Sequence, residues 1–195
     1  MAASIREALR SNEIIPDVLD DFHPKFTLKI TYPSTHTEVS LGNHISTSKI
    51  QNAPVYEFHP ISPSEETTTE SKKAYHLVLT DPDAKSRQHP IWSEFCHWII
   101  SNVSSPAVSG GPGSSGKSEA KVLEPYMGPS PPAGTGYHRY VFVLLRGDAD
   151  KCGKLEAPKE RKHWGYGKER HGVRQSASQH ELEVVGANFF FAQHE

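Results

Sequence analysis

The 195-residue chain is poor in several features that define large classes of protein. It has two cysteines, Cys96 and Cys152, which are too few for a disulfide framework and which we interpret as reduced thiols. It has no run of about eighteen apolar residues, so no membrane span is predicted. The net charge of −2 gives no basic surface and argues against direct binding of nucleic acid.

The apolar fraction is also low, at 35%, although 195 residues suffice for one domain with a sizeable core. We assign the deficit to two polar loops, near residues 62–73 and 103–121, which we expect to be mobile. The first residues show no charged region followed by an apolar one, so a cytoplasmic protein is expected. The composition therefore predicts a single domain over residues 1–195.

Apolar runs predict a mainly β fold. Phe26–Tyr32 alternates apolar and polar residues, as a half-exposed strand does. Further strands are expected at 38–42, 55–58 and 184–192. Runs that are apolar on both faces predict central strands: Tyr75–Thr80, Phe95–Ser101 and Tyr137–Leu145.

Short helices are predicted near both ends of the chain. Ser4 and Glu7 have the spacing of a capping box, which favours a helix over about Ser4–Ser11. Pro16 is suited to the first position of a second helical turn. Apolar residues at helical spacing predict a further helix over about Val173–His180.

An acidic turn ends the first central strand. Its sequence, Asp81-Pro82-Asp83, follows the apolar run without a gap. Pro82 has no N–H group and a fixed φ, so the strand cannot continue through it. Two carboxylates therefore project at a strand end, where functional side chains are often found.

Two histidines and a tyrosine lie within the other central strands. His138 and Tyr140 are two residues apart and share one face of their strand, directly after a loop rich in proline and glycine. His97 lies in the strand between. Histidine and tyrosine donate hydrogen bonds to phosphate or carboxylate, and histidine is charged near neutral pH. With Asp81, these side chains are typical of a small anion-binding pocket.

The ordered motifs resemble those of the phosphatidylethanolamine-binding protein family, which includes Raf kinase inhibitor proteins, plant flowering regulators and fungal carboxypeptidase Y inhibitors. They are Asp-Pro-Asp-Ala-x-Ser-Arg, then His-Trp, then Gly-x-x-Pro-Pro-x-Gly-Thr-Gly-x-His-Arg-Tyr. The residues around His97 and the ending around Phe189–Phe191 look most like the fungal branch. The resemblance implies a large antiparallel central sheet packed against a smaller sheet.

The resemblance also implies a pocket for phosphate or for the phosphorylethanolamine head group of a phospholipid. Asp83 is expected to support the turn through hydrogen bonds to Ser86 or Arg87. A residue-by-residue match places these side chains around the ligand: Asp81, His97, Pro132, His138 and Tyr140.

By the same resemblance, the expected function is that of a non-enzymatic regulatory protein without a cofactor or bound metal. It would contact the membrane peripherally and inhibit a serine carboxypeptidase or modulate a signalling kinase. The fungal inhibitors use their N-terminal segment to bind the protease, and the same role is expected here. The alternative is that the N-terminal segment of this chain only packs against the sheet. Two other functions stay open: a hydrolase or metal-dependent enzyme that uses Asp81, His97 and His138, and an interaction module with a vestigial pocket.

Lys85 departs from the family motif, which usually has proline at this position. A cis peptide bond before a non-proline residue costs about 2.5–4 kcal/mol. We therefore predict a trans Ala84–Lys85 bond. Lys85 also places a positive charge near the pocket mouth, which favours anionic ligands.

Overall fold

The computed structural model describes residues 1–62, 73–104, 120–149 and 155–195. No helix in these ranges is long and apolar enough to cross a membrane. The helices and strands, in chain order, are α1 (Ala2–Ser11), α2 (Ile14–Asp17), β1 (Phe26–Tyr32), β2 (Thr37–Val39), β3 (Asn43–His44), β4 (Val55–Pro60), β5 (Lys73–Asp81), β6 (Phe95–Val103), β7 (Lys121–Glu124), β8 (His138–Asp148), α3 (Val173–Gln179) and β9 (Glu183–Ala192).

The strands form two sheets. The larger sheet has the order β3-β9-β8-β5-β6-β7, and the smaller has the order β2-β1-β4. Neighbouring strands are antiparallel, apart from β3 and β9, which pair in parallel. The predicted mainly β fold, with a large central sheet packed against a smaller one, is therefore confirmed.

The large sheet is covered on both faces, which explains why its central strands are apolar throughout. One core cluster lies between the two sheets and includes Phe142 and Leu144 of β8. The other lies between the large sheet and the helices and includes Val141 and Val143 of the same strand. Alternate residues of β8 thus face opposite layers, as the geometry of a strand requires.

The helix predictions are partly correct. Helix α3 begins at Val173, as expected, with His180 at its C-cap. Helix α1 begins at Ala2, and no side chain caps it, so the predicted capping box at Ser4 is wrong. Ser4 lies inside the first turn of the helix, whereas a side chain that caps the free N–H groups must come from the residue before the helix. The second helical segment begins at Ile14 rather than Pro16.

The boundaries of the two predicted loops need correction. Val103 ends β6 and Lys121 begins β7, while Lys73 begins β5. Strands β3 and β7 were not predicted because they are too short to show a pattern. Residues 63–72 and 105–119 of the two loops, and Cys152, lie outside the described residues. Cys96 is a buried free thiol.

A fully buried arginine attaches the N-terminal segment to the large sheet. The Arg139 guanidinium donates to both carboxylate oxygens of Asp83 at 2.7 and 2.9 Å, and to Asp17 at 2.8 Å. It also donates to the backbone carbonyls of Asn12 and Glu13 at 3.1 and 2.8 Å. Burial alone would lower the pKa of Arg139, but the two carboxylates raise it above its ordinary value. The charge is therefore retained inside the protein.

We predict that Asp83→Ala destabilises the protein by about 3–5 kcal/mol, because it leaves the buried Arg139 charge only partly compensated. Urea unfolding measures this loss. Asp20→Ala is the matched control, since Asp20 pairs with Arg174 at an exposed position and such pairs contribute about 0–1 kcal/mol. Equal losses for the two variants would show that the Asp83–Arg139 pair does not anchor the fold.

Candidate anion-binding site

Three neighbouring strands of the large sheet bring the predicted site residues together. Asp81 ends β5, His97 lies on β6, and His138 and Tyr140 lie on β8. His138 Nδ1 is 2.9 Å from Asp81 Oδ2, and the His97 and Tyr140 rings are 5.3 Å apart between centroids. The His138 and Tyr140 rings are stacked at 6.4 Å. One cluster therefore contains both imidazoles, the phenol and the acid.

His97 takes its position through a β-bulge. Leu79 pairs with Trp98, but the next residue, Thr80, pairs with Cys96, so His97 has no partner in the ladder. A bulge adds one residue to a strand and changes the direction of its side chain. As a result, Cys96 packs in the helix-side core, while His97 contacts Tyr140.

The hydrogen bonds of His138 indicate an imidazolium ion. Its Nδ1 faces the Asp81 carboxylate, which only accepts hydrogen bonds. Its Nε2 lies 3.0 Å from Thr135 Oγ1, whose own hydrogen is donated to the Pro132 carbonyl at 2.7 Å. Both ring nitrogens therefore act as donors. Burial alone would lower the pKa of His138, but the hydrogen bond to Asp81 and the charges of Asp81 and Asp83 raise it above 6.5.

His97 is in the opposite electrostatic state. Its Nδ1 lies 2.7 Å from the Met127 carbonyl oxygen, so this nitrogen donates and Nε2 holds the lone pair of the neutral ring. Burial lowers the pKa of His97 below 6.5, although Asp81 and the bond to Met127 act against this. Arg161 and His138 also lower it. Without an anion, His97 is therefore the neutral member of the histidine pair.

Asp81 is the common acceptor of the cluster. Its Oδ1 accepts the N–H of Asp83 at 2.7 Å, and its Oδ2 accepts from His138. Tyr140 also hydrogen-bonds to this carboxylate; burial raises the pKa of the phenol, and Asp81 raises it further. Tyr140 is therefore a neutral donor across the physiological pH range.

The proline loop forms the exposed edge of the cluster. Pro132 is exposed, and its carbonyl accepts from Thr135, while the preceding Pro131 is buried. Asp81, His97, His138 and Tyr140 lie beneath with exposed fractions of 1–5%. The Thr135 hydroxyl of this loop contacts His138 Nε2.

The supporting turn is built differently from the prediction. Asp83 was expected to bond to Ser86 or Arg87, but its carboxylate is paired with Arg139. Ser86 Oγ instead accepts the N–H of His89, and Arg87 pairs with Glu13. Arginine within an apolar strand was a signal for this pairing, since a buried cation requires an acidic partner.

The predicted trans bond between Ala84 and Lys85 is also wrong, because the structure has a cis bond there. The prediction used the preference of an isolated peptide and ignored contacts from outside the turn. The backbone N–H of Trp92, for example, donates to the Ala84 carbonyl at 2.8 Å, and the Lys85 ammonium lies over the Trp92 ring.

A third buried carboxyl group, that of Glu94, lies on the helix side of the sheet and was not predicted. Glu94 Oε2 accepts from Thr80 Oγ1 at 3.1 Å and from the N–H of Val173, the first residue of α3, at 3.4 Å. Trp164 Nε1 donates to the same Thr80 hydroxyl. Burial raises the pKa of Glu94 to about 7. These contacts connect α3 to the sheet, on the face opposite the histidine cluster.

The metal alternative has a specific difficulty in this geometry. Within the described ranges, no three His, Cys, Asp or Glu side chains are arranged to hold a metal ion. Both nitrogens of His138 are used as donors, so ligation by His138 would require a hydrogen bond to Asp81 or Thr135 to be given up.

Comparisons with known proteins agree with this fold and these motifs. The family model for phosphatidylethanolamine-binding protein matches residues 35–190. The carboxypeptidase Y inhibitor of Saccharomyces cerevisiae is 32% identical over an alignment of 209 positions, gaps included, which covers 96% of this chain and 94% of that protein. The crystal structure of a carboxypeptidase Y inhibitor complexed with its cognate proteinase covers 100% of this chain and 97% of its own, with a TM-score of 0.86 and 30% identity.

A phosphatidylethanolamine-binding protein from Plasmodium vivax shares the fold, with a TM-score of 0.76, 24% identity and 97% of each chain covered. The fold and the site thus define a two-sheet β protein with a cluster of acid, histidine and tyrosine side chains near the ends of its central strands. The chain belongs to the phosphatidylethanolamine-binding protein family, and the resemblance noted from its motifs is confirmed.

We predict that the His138 ring titrates above 6.5 in the native protein and below 6.5 in Asp81→Asn, because burial then acts without the carboxylate. NMR of the ring nitrogens against pH measures both values. A raised pKa stabilises the fold at pH values below 6.5, and this contribution is lost as pH rises through the folded-state pKa. His59, an exposed histidine on β4, serves as the internal control. An unchanged His138 titration in Asp81→Asn would contradict this assignment.

Proposed function

We propose that the protein is a non-enzymatic regulatory protein that binds a phosphate-type anion, free or in a phospholipid head group, and inhibits a serine carboxypeptidase. The observation that carries the anion site is the buried His138 ring, whose Nδ1 lies 2.9 Å from the Asp81 carboxylate. Its Nε2 lies 3.0 Å from a hydroxyl of the exposed loop, Thr135 Oγ1. The cytoplasmic location expected from the sequence is part of the same proposal.

An anion oxygen would replace the Thr135 hydroxyl as the acceptor at His138 Nε2. The acceptor would change from a neutral oxygen to a charged one, so that the imidazolium and the anion would form an ion pair through this hydrogen bond. His97 would provide a second donor after taking up a proton at Nε2. The neighbouring Tyr140 ring and its stacked partner Phe190 form the apolar wall.

The inhibitory role is supported by similarity over the whole chain to the yeast carboxypeptidase Y inhibitor. The similarity extends beyond the shared motifs to the N-terminal segment. Arg139 holds this segment to the large sheet, and Arg170 and Arg174 hold it to α3 and the residues just before α3. Ile5 and Leu9 of α1 are buried in the helix-side core. The segment is therefore presented in a fixed conformation, as a protein-binding surface requires.

Inhibition is favoured over catalysis because the candidate acid–base groups are already engaged. Asp81 accepts from Asp83 and His138, and His138 donates through both nitrogens. A general base needs a free lone pair within reach of its substrate. The lone pair on His97 Nε2 is the one that remains on the two histidine rings. Neither carboxylate of the cluster is hydrogen-bonded to this nitrogen in the described part of the chain.

We predict that the affinity for sulfate, an anion whose charge is constant in this range, rises as pH falls from about 8 to 5. The pKa of His97 is below 6.5 in the free protein and is raised by a bound anion, so binding takes up a proton. Isothermal titration calorimetry in buffers of different ionisation enthalpy measures both quantities.

His97→Ala is expected to weaken sulfate binding at the acidic end by about tenfold, as for loss of a hydrogen bond to a charged group. His59→Ala, at an exposed position, is the matched control. Binding that is independent of pH and of His97 would refute this model of the site.

We predict that the protein inhibits peptide hydrolysis by yeast carboxypeptidase Y, used as the probe enzyme, and that His138→Ala inhibits equally well. His138 is 1% exposed and cannot contact a protease directly. Sulfate binding is expected to be lost in the same variant, with circular dichroism as the folding control. Absence of inhibition by the native protein would refute the inhibitory role. Loss of inhibition in folded His138→Ala would show that the pocket and the inhibitory surface are coupled.

A further inference from the structure

Glu94 is a buried carboxyl group whose contacts compensate a negative charge poorly. The residue directly precedes β6 and is 0% exposed. Its Oε1 has no hydrogen-bond partner in the described part of the chain. Its Oε2 lies 3.1 Å from the Thr80 hydroxyl and 3.4 Å from the Val173 nitrogen. Thr80 has one hydrogen and a second acceptor, the Phe95 carbonyl, at 3.2 Å. An ionised Glu94 is therefore left without enough donors.

The charged groups around Glu94 offset its burial only in part. Burial is the largest effect and raises the pKa of Glu94 to about 7, although its two hydrogen bonds lower it. On α3, Arg174 also lowers this pKa, but its guanidinium is paired with Asp20. At the end of β5, Asp81 raises it. On β6, burial raises the pKa of the Cys96 thiol, so this neighbour is neutral. The Glu94 carboxyl group therefore changes its charge near neutral pH.

The start of α3 lies directly against this carboxyl group. A β-carbon at Gly172, the residue before the helix, would lie 2.7 Å from the Glu94 carboxyl carbon. The other groups at this junction bond to the carbonyl of the neighbouring residue, Ser93. They are the backbone N–H of Arg170, at 2.9 Å, and the imidazole Nδ1 of His163, at 3.0 Å. A change in the charge of Glu94 therefore acts first on the start of α3.

Helix α3 and the residues before it also hold the N-terminal segment. Arg170 Nη1 donates to Asp17 at 2.8 Å, and Arg174 donates to the Pro16 carbonyl. One continuous set of contacts thus runs from Glu94 through α3 to the N-terminal segment.

We propose that the proton on Glu94 controls how firmly α3, and with it the N-terminal segment, is attached to the large sheet. The protonated group occupies its buried position without a charge. Ionisation places a negative charge there with one oxygen unbonded, and this cost is relieved when α3 moves away and admits water. The attachment itself rests on contacts within the chain, whereas its consequence for inhibition rests on the proposed function.

The direction of the pH dependence follows from linkage. The folded-state pKa of Glu94 is above the ordinary value of 4.5. Its contribution to the attachment is therefore full below pH 4.5 and is lost as pH rises through about 7. Histidines near α3, such as His76 and the C-cap residue His180, also titrate. A comparison of the native protein with Glu94→Gln removes their effect, because both proteins contain them.

Hydrogen exchange of the full chain, measured by NMR, tests the proposal at α3. Ser176 is a suitable amide, since its N–H bonds to the Gly172 carbonyl. From about pH 6 to 8.5, its protection in the native protein relative to Glu94→Gln is expected to fall about tenfold. Linkage gives this factor for a pKa of about 7 when α3 is attached and about 4.5 when it is detached. A constant ratio would overturn the proposal.

Two controls accompany this measurement. Glu169→Gln removes an exposed carboxyl group shortly before α3 and is expected to leave the pH dependence unchanged. Titration of the Glu94 carboxyl carbon by NMR in the native protein requires no variant to fold. It is expected to give a pKa near 7, and a value near 4.5 would overturn the proposal.

The N-terminal segment is monitored at Val18, whose N–H bonds to the Ile14 carbonyl at 2.9 Å. Its amide is expected to lose protection together with that of Ser176. A response confined to α3 would refute the connection through Arg170 and Arg174.

Inhibition of yeast carboxypeptidase Y separates this proposal from the function. The native protein is expected to inhibit as well as Glu94→Gln at about pH 6 and less well at about pH 8. If neither protein inhibits, the proposed function is refuted, and the exchange data alone decide the attachment. If exchange responds to pH as expected but relative inhibition does not, the attachment is supported and its consequence for inhibition is refuted.

Discussion

One acidic turn organises both faces of the large sheet. His138 and Arg139 are consecutive on β8, so their side chains point to opposite layers. Asp81 holds the first and Asp83 holds the second, at 2.9 and 2.7 Å. Pro82 lies between the two acids and ends the strand there. A single three-residue turn therefore neutralises two buried cations that belong to different layers of the protein.

This arrangement explains why the register of β8 against β5 is tightly constrained. A slip of one residue would exchange the faces of His138 and Arg139 and leave both cations without their acids. The loss would be large, because an unpaired buried charge is far more costly than a paired one. It would also detach the N-terminal segment, since Arg139 bonds to Asp17 and to the carbonyls of Asn12 and Glu13. The histidine cluster and the anchoring of the N-terminal segment therefore depend on the same turn.

Alternation and apolar runs were sufficient to predict a mainly β fold and the strands that bear the site, because they report burial directly, whereas the two-sheet arrangement was implied by the family resemblance. The sequence did not predict that His97 is the extra residue of a β-bulge, since a bulge leaves no periodic signal within one strand. Nor did it predict the partner of Asp83 or the state of the Ala84–Lys85 bond. Both depend on residues remote in sequence, Arg139 and Trp92, that meet the turn after folding. Local preference cannot report such contacts.

The charge balance of the site limits how an anion can be held there. Because Asp81 and Asp83 already cancel His138 and Arg139, an incoming anion must be compensated by a new positive charge. In the proposed site, a proton on His97 provides that charge inside the cluster. Proton uptake makes the affinity for the anion depend on pH. The pH dependence of the affinity therefore reports whether the anion reaches His97.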